Sequence, residues 1–116
     1  MSAELNTAAG VPVDTELLIN YLKSLVNRFF KILPIRENDD ASLAVYMRSL
    51  QLEMTGCGDF ISALKSDASY LSLLSILQYL IDHPDCSVAE VRREVFGAIS
   101  ICNKLKATYA DGGAER

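Results

Sequence analysis

The sequence has a single histidine, three cysteines, three prolines and six glycines in 116 residues. Each scarcity removes a class of chemistry. A hydrolytic triad or a thiol–imidazole pair would have to use His83, which precedes Pro84 where a helix is expected to stop. No serine stands in the glycine-flanked elbow that exposes a nucleophile between strand and helix. The glycines lie scattered at 10, 56, 58, 97, 112 and 113, so neither phosphate-binding nor dinucleotide-binding glycine patterns occur. An odd number of cysteines in a chain of this size fits free thiols and a reducing cytoplasm better than a disulfide framework.

Basic excess is also missing. Eleven lysines and arginines against fifteen aspartates and glutamates give a formal charge of −4. A wholly basic nucleic-acid protein is thereby disfavoured, although a local basic face is compatible with that balance. No apolar run is long enough to span a bilayer. The most apolar stretch, Leu71 to Ile81, is interrupted by Ser72, Ser75 and Gln78 and bounded by Asp67 and Asp82. The opening MSAELNTAAG carries Glu4 and lacks the basic and apolar regions of a secretory leader.

Half of the residues are hydrophobic, which suits one globular domain. Their spacing is helical throughout, and no segment alternates long enough to predict a strand. The expected fold is all-α, an antiparallel bundle of four main helices plus one short connecting helix. Residues 1–13 are expected to form a flexible tail, 14–109 the bundle, and 110–116 a frayed end.

The first helix is predicted from about Glu16 to Leu33, with Pro34 as its stop. Leu18, Leu22, Leu25, Phe29 and Ile32 form one apolar stripe. Ile19, Val26, Phe30 and Leu33 form a second beside it, so this helix should touch two neighbours. The second helix is predicted over about Ala41 to Met54, with Gly56 as a left-handed stop and Asn38, Asp39 or Asp40 as its cap. A short helix is expected within Gly58 to Lys65. The next runs from about Ala68 to Asp82, capped by Ser66 or Asp67. Ser87-Val88-Ala89-Glu90 has the form of a capping box. It opens a last helix whose residues Val88, Val91, Val95, Ala98, Cys102, Leu105 and Tyr109 keep strict three-four alternation. Such a narrow seam implies near-parallel packing of helix axes.

Cys57 between two glycines, with His83 and Cys86, has the residue types of a zinc site. An up-and-down chain puts Cys57 at one end of the bundle and His83 and Cys86 at the other, so no metal is expected. The pair Asp39-Asp40 reads as cap and helix-dipole partner rather than an acid–base pair. No cofactor and no catalytic residue are predicted, and the chain is read as a non-enzyme.

Two surfaces remain. Lys23, Arg28 and Lys31 on the first helix, with Arg92, Arg93 and Lys104 on the last, make basic faces that could contact phosphates, with Phe96 among them. Val45 and Leu52 lie seven residues apart, opposite the core side of the second helix. Phe96 and Ile101 leave the seam of the last. Together these apolar residues suggest self-association or another protein as partner. A non-catalytic, homodimeric interaction module is therefore the leading expectation, and a nucleic-acid accessory protein the alternative. No membrane partner is expected.

Overall fold

A computed structural model of the chain describes residues 15–110. The expected tails, Ala110 apart, lie outside the described residues. Four long helices pack together, and no strand occurs among the described residues. They are α1 (Thr15–Glu37), α2 (Leu43–Phe60), α4 (Ala68–Asp82) and α5 (Val88–Ala110), with a four-residue helical turn, α3 (Ser62–Lys65), between the second and third of them. No helix among the described residues is long and apolar enough to cross a membrane. α1 lies against α5 and α2, and α4 closes the ring by packing on the same two helices.

The core follows from the apolar spacing. Leu18, Leu22, Leu25, Phe29 and Ile32 are all buried, as is Leu33 of the second stripe. On α5, Val91, Val95, Ala98, Cys102, Leu105 and Tyr109 are buried, so the three-four seam is the inward face. α4 contributes Tyr70, Leu73, Leu77 and Leu80, and α2 contributes Met47, Leu50 and Met54. At roughly 2 kcal/mol for each large aliphatic side chain removed from water, this cluster is the main stabilising term.

Expected boundaries of α1, α2 and α3 are corrected. α1 does not stop before Pro34 but carries it inside its last turns and ends at Glu37. Buried Leu33 and half-buried Ile35 hold this turn against the core, and tertiary packing outweighs the local preference of a residue before proline. The true stop lies at Asp39, which has a positive φ of 53°. The Asp39 amide donates to the Arg36 carbonyl at 3.0 Å, and the Asp40 amide to the Ile35 carbonyl at 3.1 Å. That is the Schellman pattern with aspartate where glycine usually stands. Asp39→Gly is therefore expected to raise stability by about 0.5 kcal/mol and Asp39→Ala to lower it. Urea denaturation that ranked alanine level with glycine would contradict this backbone assignment.

α2 starts at Leu43, later than predicted, and continues through Gly56 and Gly58 to Phe60. Gly56 does not terminate it, because the helix continues to buried Gly58, which packs against the Tyr70 ring. The connecting helix shrinks accordingly to Ser62–Lys65.

Both later caps take defined partners. Asp67 Oδ1 accepts the amides of Ser69 at 2.8 Å and Tyr70 at 3.1 Å. Its other oxygen accepts the Tyr109 hydroxyl at 3.1 Å, so one carboxylate caps α4 and holds the last turn of α5. Ser87 Oγ accepts the Glu90 amide at 3.1 Å. The Glu90 carboxylate does not return the bond as a capping box would. It accepts the Tyr79 hydroxyl instead, linking α5 to α4.

Candidate functional site

The outward face of α2 holds two of the large apolar side chains that the fold leaves in water. Val45 is 67% and Leu52 76% exposed. At 100° per residue they lie about 20° apart on the helix wheel, directly opposite the buried line of Met47, Leu50 and Met54. Exposed Arg48 and Asp59 lie together along one side of this line, and neither enters an ion pair among the described residues. A Cβ added at Gly56, on the same face, would have no atom within 4 Å.

The two α5 candidates are placed differently. Phe96 is half-covered, its ring meeting Phe30 edge-on at 5.7 Å between centroids. Ile101 is half-buried against the core. The apolar residues named from sequence therefore divide into one open line on α2 and two side chains partly absorbed by helix packing.

The basic candidates are divided as well. Arg28 pairs with Glu53 of α2, and Arg92 with Glu37 at 2.8 Å. Arg93 lies 3.8 Å from Glu94 and 4.0 Å from Glu90. Lys23, Lys31 and Lys104 are exposed. All three arginines thus have carboxylates beside them, which reduces the field a phosphate would meet.

A second site forms where α1 and α4 end and where α2 and α5 begin. It is a cleft of about 400 Å³. Its floor is apolar, from Ile32, Leu43, Met47, Leu80, Ile81 and Val91. Arg36, Asp39, Asp40, His83, Asp85 and Cys86 form its polar wall and rim. The two segments that carry these polar residues, 36–40 and 83–86, are remote along the chain.

Local bonds fix this rim. The Arg36 guanidinium donates to the Cys86 carbonyl at 2.9 Å, tying α1 to the loop before α5. Asp40 Oδ1 accepts the Ser42 amide at 2.9 Å, and this bond holds its carboxyl below the usual value. His83 stacks on Tyr79 at 4.1 Å, and its Nδ1 lies 2.8 Å from the Tyr79 carbonyl. Since that carbonyl only accepts, Nδ1 carries the proton and Nε2 is directed elsewhere.

Thiol chemistry has little support in this arrangement. Burial pushes the Cys86 thiol up, with Glu90 adding to the shift and Arg36 opposing it. Burial also raises Cys57 and takes Cys102 to about 12. A nucleophilic cysteine needs the opposite shift. Cys57 sits among Tyr21, Tyr70 and Glu53, whereas His83 and Cys86 line the end cleft. Among the described residues no three histidine, cysteine, aspartate or glutamate side chains converge to hold a metal ion. No protein-family model, curated protein or solved structure matches the chain.

Proposed function

We propose that this protein is a non-catalytic assembly module that pairs with a second copy of itself through the outward face of α2. The observation that carries the reading is the exposure of Val45 and Leu52 on the line opposite the core. Burying two such side chains from each copy is worth several kcal/mol in gross terms, before the cost of association.

Charge complementarity favours a second copy as the occupant. In an antiparallel pairing of two α2 helices, Leu52 meets its own equivalent near the two-fold axis. Arg48 of one copy then lies beside Asp59 of the other, and the contact occurs twice. Side chains on helices lean toward their N-termini, so these two lean toward each other in that pairing. One helix face is smaller than a standard interface, so micromolar affinity is expected.

Within each subunit we read the four helices as an antiparallel bundle. Support comes from Arg92 meeting Glu37 and Tyr109 meeting Asp67, which pair the beginning of one helix with the end of another. Three free cysteines favour a cytoplasmic setting. The nucleic-acid alternative is less well supported, because Arg28, Arg92 and Arg93 lie beside carboxylates.

Sedimentation equilibrium tests the reading. The wild type should approach twice the monomer mass, and Leu52→Glu should be monomeric with unchanged helicity. Arg48→Asp or Asp59→Arg alone should weaken pairing about tenfold, and combining the two should restore it. A wild type that stays monomeric at concentrations of about 1 mM would refute self-pairing, since that is weaker than about 4 kcal/mol.

A further inference from the structure

We propose that the cleft at the end of the bundle is a binding site for a small organic cation, an apolar amine whose hydrocarbon part enters the floor while its ammonium meets the rim. This site is separate from the α2 face and does not depend on pairing.

Shape sets the size of the ligand. A volume of about 400 Å³ lies in the range of small-molecule sites. The floor is continuous with the core, for Ile32, Met47, Leu80 and Val91 are each almost wholly buried in the bundle. A ligand placed there would cover side chains that rigid helices already hold. None of the large exposed apolar side chains among the described residues lies in the lining, so the hollow is local rather than part of a broad docking face. That favours a ligand that enters whole over a protein surface that lies across.

Charge sets its sign. Two helices end at the cleft and two begin there, so their terminal partial charges oppose one another. The rim side chains decide the balance. Asp39, Asp40 and Asp85 carry three carboxylates against one guanidinium, that of Arg36. Arg36 is already directed to the Cys86 carbonyl, and its neighbour Glu37 is paired with Arg92. Carboxylates beside a low-dielectric apolar wall act more strongly than the same groups on open surface. A cation with an apolar body satisfies both parts of the cleft, whereas an anion would meet three like charges.

Phenethylamine is a suitable probe, with 2-phenylethanol and 3-phenylpropionate as the neutral and anionic counterparts. In amide NMR titrations the amine should shift resonances of residues 36–44 and 80–91, with a Kd of about 1 mM. The alcohol should bind at least about fivefold more weakly and the acid more weakly still. Asp39→Asn with Asp85→Asn should remove most of the preference for the amine, and asparagine keeps the left-handed turn at position 39. Ala44→Leu, at the exposed mouth, should block all three probes without unfolding the bundle. Equal binding of the amine and the alcohol would overturn the cation assignment. Absence of shifts in these two segments at saturating amine would overturn the site.

Discussion

Tyr70→Ala should cost about 4 kcal/mol, a large share of the stability of a domain of this size. The side chain is fully buried, and its hydroxyl donates to the Met54 carbonyl of α2 at 2.7 Å. Its hydroxyl is also 3.5 Å from that of Tyr21. The ring occupies a slot that exists because α2 has glycine opposite it. A Cβ at Gly58 would lie 3.0 Å from the Tyr70 ring. Tyr70→Phe keeps the ring and should cost only about 1 kcal/mol, the share of the hydroxyl. Gly58→Ala gains about 1 kcal/mol of helix propensity but crowds a ring with no room to move, so its net effect should be a loss. In a Tyr70→Leu background the same glycine change should become stabilising, a coupling that urea denaturation of the four proteins would measure. If Tyr70→Ala costs less than about 1 kcal/mol, the ring is not the central element of the α2–α4 contact.

The second large effect is alkaline. Burial lifts the Cys102 thiol from its ordinary 9.0 to about 12. Burial, followed by the charge and hydrogen bond of Asp67, brings Tyr109 from 10.0 to about 12. Burial first, and then the Tyr70 hydroxyl, also pushes Tyr21 up, while burial pushes Tyr70 up against the opposing hydrogen bond from Tyr21. All of these groups are neutral in the folded state, while the unfolded chain releases their protons earlier. Their stabilising contribution is thus complete below pH 9, and it is lost as pH rises toward the folded values. Each group whose unfolded form has ionised removes about 1.4 kcal/mol per pH unit. The melting temperature in reducing buffer should be level from neutral pH to about 8.5, then fall, and fall more steeply once tyrosines join above about 10. Cys102→Ala should make the earliest part of the decline shallower, leaving the smaller contributions of Cys57 and Cys86. A melting temperature unchanged at pH 11 would contradict the burial of these groups.

The parts of the fold legible in the sequence are those that depend on period. The α5 seam and the first α1 stripe are buried because a helix returns every three to four residues to one face. The bounds of α4 were legible because Asp67 and His83-Pro84 punctuate both ends. Pro34 and Gly56 misled for the same reason. Each carries a local preference, and packing around Leu33 and around Gly58 outweighed it. Val45 and Leu52 were legible as an outward line, since their positions follow from the wheel alone. The end cleft was not, because Asp39 and His83 come to line one hollow only after the chain has folded back. The arginine pairings with Glu53 and Glu37 join helices remote in sequence and left no periodic trace.

The first and last of the described helices are close neighbours, so the bundle closes like a ring whose clasp is fastened last. During synthesis, α1 leaves the ribosome with an apolar arc that its principal neighbour cannot yet cover. α2 meets only one side of that arc, through the Tyr46 hydroxyl on the Arg28 carbonyl and the Arg28–Glu53 pair. The other side must wait for α5, behind the whole of α2, α3 and α4. Loop closure on that scale is paid before the α1–α5 contact repays it, so this bundle carries a less local folding route than one that closes pairwise in chain order. Until α5 arrives, the uncovered side of α1 is sticky surface of the kind that holding chaperones engage.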